Sequence, residues 1–216
     1  MDQIFPNVGM AMVRVLERAG CEVEFREAQT CCGQPAYNSG YFDAFKAVEG
    51  HFLRVFEGTE HIVVPSGSCA AMIAHHYAEP DHRVWEFSQF LVEFLKVEKL
   101  GARLDRVVTY HDSCHALREL KIKQAPRRLL ANVEGLKLVE MDPPEECCGF
   151  GGTFSVKFPD VSGAMARTKI DAIEKTGADT VVSIDSSCLM QIQGALDRAG
   201  KKIRTMHLAE VLANGI

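Results

Sequence analysis

The sequence predicts an α/β protein made of two tandem homologous units with mainly parallel sheets, and three observations lead to that fold class. Strand-like and helix-like segments alternate along the 216 residues, which is typical of α/β units. The tripeptide Cys-Cys-Gly occurs twice, starting at Cys31 and at Cys147. Each copy is followed about forty residues later by a Ser-Cys pair, at Cys69 and Cys188, so the pattern indicates an internal duplication.

The first unit, residues 1–103, is predicted to contain three helices and two strand-like segments. Apolar side chains at helical spacing predict the helices, and Gly20 marks the end of the first one. Alternating or β-branched residues predict the strands. The helices are Val8–Ala19, Phe42–Phe56 and Val84–Val97, and the strand-like segments are Cys21–Phe25 and His61–Val64.

The second unit, residues 104–216, repeats this alternation, and we expect the two units to pack around a pseudo-twofold axis. Its strands are Arg106–His111, Leu136–Met141 and Thr180–Ile184, its helices are Ala125–Asn132, Val161–Thr176 and Cys188–Ala199, and the segments Ile203–His207 and Leu208–Ala213 close the chain. Cys114 directly follows the opening strand of this unit. The corresponding position in the first unit would fall just before the first residue. The first unit is therefore expected to lack its opening strand and opening cysteine, either because the start of the chain is assigned too late or because the unit has lost them.

Composition and charge exclude several classes of protein. The net charge is −5 and no long basic run occurs, so nucleic-acid binding is not expected. The longest apolar stretches, such as His61–Ser66, fall far short of the roughly 20 residues that span a bilayer, so no membrane span is expected. Glu17 and Arg18 interrupt any signal-peptide apolar region. These features predict a soluble, cytoplasmic protein.

The eight cysteines are the one compositional excess, and most of them point to a metal centre. A disulfide framework would need an export signal, and neighbouring cysteines make strained disulfides. Cys21 is interpreted as a packing residue. The second unit offers four thiols and the first unit three, which suits an iron–sulfur cluster or a tetrahedral zinc ion. These candidate ligands are Cys114, Cys147, Cys148 and Cys188 in the second unit, and Cys31, Cys32 and Cys69 in the first.

The vicinal pairs favour the cluster over zinc. Adjacent thiolates fit poorly into one tetrahedron, whereas they can reach two metals of an extended cluster. The run Gly149–Gly152 would let backbone N–H groups approach anionic sulfur. Read as a phosphate loop, the same run lacks a preceding strand and a Gly-Lys-Ser/Thr sequence.

Other polar residues allow competing interpretations. His111 and His115 flank Cys114, so a Cys–His nucleophile and base is an alternative. His75 and His76 are interpreted as exposed imidazoles at a helix end. The pair Arg127-Arg128 is interpreted as part of a solvated helix face.

Six segments together resemble the cysteine-rich CCG domain, which occurs twice in one of the subunits of heterodisulfide reductase. The likeness extends to the family of lactate-utilisation proteins and the iron–sulfur subunits of glycolate oxidase and anaerobic glycerol-3-phosphate dehydrogenase, and it covers nearly the whole chain. The segments are EAQTCCGQPAYNSGY (27–41), VPSGSCAAMIAHH (64–76), TYHDSCHAL (109–117), CCGFGGTFSVKF (147–158), SIDSSCLMQ (183–191) and MHLAEVL (206–212).

The resemblance implies an electron-transfer subunit in a complex that oxidises L-lactate, or a similar 2-hydroxy acid such as glycolate, to the 2-oxo acid. It implies an iron–sulfur cluster, of the 4Fe-4S type, bound by the seven cysteines named above. No flavin or nicotinamide fingerprint occurs in the sequence, so the other subunits of such a complex are the implied partners. The alternatives are a zinc-bound or metal-free scaffold subunit, and a thiol redox enzyme that uses the vicinal cysteines.

The chain departs from the family pattern at the final CxxC motif. Cys69 is followed by Ala-Ala-Met72 and Cys188 by Leu-Met-Gln191, so neither copy supplies a second cysteine there. A five-thiolate cluster is therefore not expected. The second unit, with four thiols, is the predicted occupied site, and the first unit is predicted to be partly occupied or empty.

Overall fold

The structure, a computed structural model, describes residues 4–78, 81 and 83–216, and within these ranges short parallel strands alternate with helices. The strands are β1 (Ile62–Val64), β2 (Val84–Glu86), β3 (Arg103–Tyr110), β4 (Glu134–Leu138), β5 (Thr180–Ser183) and β6 (Arg204–His207). The helices are α1 (Pro6–Arg18), α2 (Gln34–Asn38), α3 (Phe42–Val55), α4 (Gly67–His76), α5 (Phe87–Gln89), α6 (Cys114–Arg118), α7 (Gln124–Ala131), α8 (Thr153–Lys157), α9 (Pro159–Lys175), α10 (Ser186–Arg198) and α11 (Leu208–Leu212), and a π-helical turn, Phe90–Phe94, extends α5.

The strands form two parallel sheets, which confirms the predicted fold class. One sheet pairs β1 with β2, with Val63 opposite Trp85. The other has the order β4-β3-β5-β6, with Thr109 opposite Val181. Helices connect successive parallel strands, as parallel pairing requires. Strand β5 is buried at all four positions because it lies inside its sheet with helices packed on it.

The two sheets repeat one unit. The succession β1–α4–β2–α5 in the first matches β5–α10–β6–α11 in the second. In the second unit the remaining edge of β5 pairs with β3. Among the residues that the structure describes, no strand pairs with the corresponding edge of β1. Within the described residues the sheet of the first unit therefore has two strands, and that of the second unit has four.

Three apolar clusters form the interior. The largest contains side chains from both halves of the chain, including Val15, Leu91 and Leu130. A second lies under the cysteines of the second unit and includes Cys148 and Cys188. The third lies under the first unit's cysteines and includes Cys32, Phe45 and Phe52. Each set of cysteines therefore has its own apolar base.

Three predicted elements are wrong in type or bounds. The segment Cys21–Phe25 forms no ladder, because no strand in the described part of the chain pairs with it; Cys21 N–H instead closes the end of α1 on the Leu16 carbonyl. The predicted helix Val84–Val97 begins with strand β2, and helical structure starts only at Phe87. The predicted strand Leu136–Met141 lies at Glu134–Leu138. In both of the latter cases sheet pairing overrides the local pattern.

Three helices were not anticipated, and a fourth, α4, was anticipated only as a helix end at His75 and His76. Helices α2, α4, α6 and α8 each begin beside a cysteine motif. Three of them have only five residues, too short for a periodic apolar signal. The fourth, α4, is apolar on several faces because it packs between elements, so its residues show little amphipathic contrast.

Candidate metal centre

Most of the candidate ligands lie where parallel strands end and helices begin. Cys69 is in the first turn of α4, after β1, and Cys188 is at the same position of α10, after β5. Cys114 opens α6 after β3. The carboxyl edge of a parallel sheet is the usual ligand-binding edge of open α/β folds.

The second unit brings its four predicted thiols into one continuous row. Cys114 is hydrogen-bonded to Cys147, Cys147 to Cys148, and Cys148 to Cys188. Cys148 and Cys188 are buried, whereas Cys114 and Cys147 are partly accessible. The four sulfur atoms therefore line a site that is closed on one side and open on the other.

The first unit forms a shorter row of the same kind. Cys32 is hydrogen-bonded to both Cys31 and Cys69, and Cys31 is exposed at the end of the row. No fourth thiol joins this row among the described residues. Cys21 lies apart from both rows and packs against the largest apolar cluster, which agrees with its interpretation as a packing residue.

One thiol of the second row and two thiols of the first row are stabilised as thiolates. Hydrogen bonds from Cys114 and Cys148 lower the pKa of Cys147 strongly, and the Gly149 N–H also donates to its sulfur, at 3.4 Å. In the first row, a hydrogen bond with Cys32 lowers the pKa of Cys31 to about 6, and another hydrogen bond with Cys32 lowers the pKa of Cys69. Because thiolates are the metal-binding form of cysteine, each row presents an anionic sulfur for a soft metal.

His111 offers a nitrogen donor beside the second row, which the sequence pattern did not indicate. The side chain is completely buried, and both ring nitrogens lack a hydrogen-bond partner among the described residues. One of its nitrogens and the sulfur atoms of Cys148 and Cys188 all lie within 4.8 Å of one another. Burial and the nearby Lys169 ammonium lower the pKa of His111 to about 3, which keeps the ring neutral. Buried polar atoms are normally satisfied, so this unsatisfied ring fits a metal or cluster beside it.

The arrangement does not favour a Cys114 nucleophile. The hydrogen bond to Cys147 raises the pKa of Cys114, which keeps it as a thiol. The neighbouring imidazole of His115 is engaged elsewhere, since its Nδ1 lies 2.6 Å from Glu119 Oε1. A thiol activated by an adjacent base is therefore not what the geometry provides.

A polar chain of side chains links the two cysteine rows. Gln34, just after the first Cys-Cys-Gly, lies 3.4 Å from His115 Nε2. Glu119 connects His115 to His76, and His76 Nδ1 lies 3.2 Å from the Tyr37 hydroxyl. His76 is thus a half-buried link rather than the exposed imidazole that the sequence suggested, whereas the adjacent histidine is exposed as predicted.

Arg127 holds the segment between β3 and Cys114, so its interpretation as a solvated residue is wrong. Its guanidinium makes paired hydrogen bonds to the buried Asp112, at 2.9 and 2.8 Å, and to Glu140, at 2.7 and 2.9 Å. It also lies over the Tyr110 ring, 5.0 Å from its centroid. Only its neighbour Arg128 is exposed, paired with Glu98. The sequence could not separate them because helix periodicity alone does not identify a buried acidic partner.

Asp185 and Ser66 are further site residues that the sequence analysis missed. Each caps the helix that carries the row's last cysteine: Asp185 accepts from Ser187 N–H, and Ser66 from Cys69 N–H. A Ser or Asp between a strand and a helix is a known N-cap signal, and it was available in the sequence.

The run Gly149–Gly152 follows the vicinal cysteines and precedes the five-residue α8, so it does not have the strand-loop-helix form of a phosphate loop. Gly149 itself has φ of +82°, and a Cβ there would lie 2.7 Å from the Ser162 carbonyl oxygen. The glycine thus lets the Cys-Cys turn pack directly on α9.

Comparison with known proteins gives a consistent result. A family model described as CCG, cysteine-rich domain, matches residues 1–74 and 108–193. Lactate utilization protein A of Bacillus cereus (strain G9842) is 47% identical over 98% of this chain and 94% of its own length. The protein of the same name from Bacillus cytotoxicus is 48% identical over the same shares, and that from Geobacillus sp. (strain WCH70) is 47% identical. In the described part of the chain, no helix has both the length and the apolar character to cross a bilayer.

Proposed function

Because the chain belongs to the family of CCG cysteine-rich domains, we propose that it is an iron–sulfur electron-transfer subunit in the oxidation of L-lactate, or of a similar 2-hydroxy acid such as glycolate. The names of the relatives support a role in lactate utilisation. The cluster is assigned to the second unit, residues 104–216, and the first unit, residues 1–103, is assigned a partial or empty site.

The observation that carries this proposal is the continuous row of four thiols beside a buried, unsatisfied His111. Four cysteine thiolates are the common ligand set of a 4Fe-4S cluster. The three-thiol row of the first unit lacks one such ligand among the described residues. The ligands proposed are Cys114, Cys147, Cys148 and Cys188.

Such a cluster, when bound, accepts and donates single electrons. The residues of this chain supply its surroundings. The Gly149 N–H donates to Cys147 Sγ, and donors to sulfur are one means by which proteins set cluster potentials. The apolar cluster around Cys148 and Cys188 excludes water on the inner side. The open side, at Cys114 and Cys147, is the side where electrons would enter or leave.

The two-electron chemistry on the hydroxy acid is assigned to partner proteins, since the sequence carries no flavin or nicotinamide fingerprint. We therefore propose that the chain works in the cytoplasm within a multi-protein system for hydroxy-acid oxidation.

A zinc site is the second candidate, and one observation favours it. His111, Cys148 and Cys188 offer one nitrogen and two sulfurs within 4.8 Å of one another, which is a donor set that zinc accepts. In that case the protein would be a scaffold subunit rather than an electron carrier.

Iron, acid-labile sulfide and zinc per chain, measured on protein purified without oxygen, test the proposal. About four irons with equal sulfide are expected for one 4Fe-4S cluster. Zinc without iron would support the scaffold function. Protein that contains neither metal would support the remaining alternative, in which the vicinal cysteines act as a redox-active dithiol.

Replacement of single cysteines tests which unit holds the metal. Cys148→Ser should remove most of the bound iron, since it breaks the middle of the row. Cys21→Ser is the matched control, because Cys21 lies outside both rows, and it should keep the iron. Iron lost from the Cys21 variant and kept by the Cys148 variant would overturn the ligand assignment.

A further inference from the structure

Lys169 is a fully buried cation beneath the cysteine row of the second unit. It lies on α9, and its relative exposure is 0%. Its ammonium has the Met141 sulfur at 4.0 Å as its hydrogen-bond acceptor, and it forms no ion pair with a carboxylate of the described residues. A buried ammonium without a strong partner is costly, so this position needs a compensating negative charge.

The charges that face Lys169 come from the cysteine loop and from the segment after β3. Glu146, Cys148, Asp112 and Cys147 all interact with it electrostatically. Asp112 is already paired with Arg127. Glu146 has one buried carboxylate oxygen without a hydrogen-bond partner among the described residues, so neither carboxylate is ion-paired with Lys169. Burial lowers the pKa of Lys169, which is the direction expected where compensation is incomplete.

The loaded site would supply the missing charge. Four thiolates around a 4Fe-4S core leave a net negative charge, and reduction adds one more. A fixed cation buried next to that charge is poorly screened by solvent, so its effect on the two redox states is large. Net charge around a cluster is one of the factors that set its potential.

The first unit has no such cation at the equivalent place. The turn glycine of each Cys-Cys-Gly motif rests on the following helix, against Val48 in α3 and against Met165 in α9. Four residues further along each helix, the first unit has the buried Phe52 and the second has Lys169. The duplication therefore has an apolar ring in one unit and a cation in the other.

We propose that Lys169 is a positioning residue that stabilises the reduced state of a cluster held by the second unit and so raises its reduction potential. This inference rests on the proposed function. In the reduction, one electron passes from an external one-electron donor such as dithionite to the cluster, whose net charge becomes more negative by one. No bond to Lys169 forms or breaks, and its ammonium keeps its proton.

The test is a spectroscopic redox titration of the anaerobically purified, iron-loaded full chain. Lys169→Met removes the charge at similar volume, Lys169→Arg keeps the charge, and Lys175→Met removes an exposed charge from the same helix. At the wild-type midpoint, Lys169→Met should lower the ratio of reduced to oxidised cluster at least tenfold, which is about 59 mV for a one-electron couple. The other two variants should shift the ratio less than threefold.

The outcomes separate this inference from the proposed function. Wild-type protein without iron and sulfide would overturn both. Iron-loaded wild type whose midpoint is unchanged by Lys169→Met would overturn the inference alone. If Lys169→Met and Lys169→Gln both fold but lose the iron while Lys169→Arg retains it, the charge is needed to hold the anionic cluster, which supports the same role. Loss of iron or of folding in Lys169→Met, Lys169→Gln and Lys169→Arg alike would overturn the inference, because Lys169 would then matter for packing and not for its charge.

Discussion

Ser66 and Asp185 occupy the same position in the two units, 119 residues apart, and they are hydrogen-bonded to each other. The Ser66 hydroxyl donates to Asp185 Oδ2 at 3.2 Å, and the Ser68 N–H donates to the same oxygen at 3.0 Å. Equivalent positions can touch in this way only near the symmetry axis of a duplicated fold. The caps of the two cysteine-bearing helices thus meet where the two units contact each other.

Removal of the Asp185 carboxylate should destabilise the fold strongly. Asp185→Ala leaves several buried donors without an acceptor, namely those of Ser66, Ser68 and Ser113 in addition to its own helix cap. We expect a loss of about 3 kcal/mol in the free energy of unfolding, measured by urea denaturation.

The single change Ser66→Ala should cost about 1 kcal/mol. The double variant should then show a coupling energy of at least about 0.5 kcal/mol, because the two residues share a hydrogen bond. Strictly additive losses would mean that the Ser66–Asp185 contact does not contribute to joining the units.

Arg127 and Arg128 form a matched pair of neighbours with opposite environments. Arg127→Ala leaves the buried Asp112 without its partner, so we expect a loss of about 3–5 kcal/mol in the free energy of unfolding. Arg128→Ala removes an exposed pair with Glu98 and should cost less than about 1 kcal/mol. Thermal or urea unfolding of both variants checks the difference, and equal losses would contradict it.

Glu86 should make the protein less stable as pH rises. Burial raises its pKa to about 7, although one of its oxygens accepts hydrogen bonds from the Ser88 hydroxyl and from the Ser88 and Gln89 N–H groups. Its other oxygen has no partner among the described residues. In the unfolded chain the group ionises near its usual pKa of 4.5. Between these values the folded state binds more protons, so stability falls as pH rises from 4.5 to 7, by about 3 kcal/mol in total.

Glu86→Gln should remove this loss while keeping an oxygen for the cap of α5. The relevant measurement is the urea midpoint of wild type and variant at about pH 5 and about pH 7, on either side of most of this titration, with the variant gaining stability relative to wild type at the higher pH. The exposed Glu93→Gln is the control and should track wild type.

His207, at the corresponding position of the second unit, acts in the opposite sense: burial lowers its pKa to about 4, so the protein loses stability as pH falls from 6.5 to 4.

Gly149 should tolerate no side chain, whereas Gly194 should accept one. At Gly149 the backbone has φ of +82°, and a Cβ would meet Met165 Cβ at 2.9 Å as well as the Ser162 carbonyl. Gly149→Ala should cost more than about 2 kcal/mol and reduce bound iron by displacing the Cys-Cys turn. Gly194→Ala, in α10 with nothing within 4 Å, should be neutral or stabilising by about 1 kcal/mol. A Gly149 variant with full iron content and wild-type stability would contradict the packing argument.

Most of the secondary structure followed from periodicity. Helices α1, α3, α9 and α10 and strand β5 have long or strongly patterned runs, and the structure has them within a few residues of their predicted bounds. The errors lie where pairing or capping decides. Val84–Glu86 is a strand only because β1 lies beside it, and the segment Cys21–Phe25 remains unpaired because no strand of the described residues lies alongside it.

The duplication, the α/β class and the grouping of the cysteines into two rows could all be predicted from the residues, because motif spacing and strand–helix alternation are local properties of the chain. The burial of His111 and Lys169 at the second row and the pairing of Arg127 with Asp112 became visible only once the chain was folded. Folding also brings Ser66 against Asp185. Burial and charge pairing depend on which distant segments pack together, and residues 119 positions apart share no local signal of that contact.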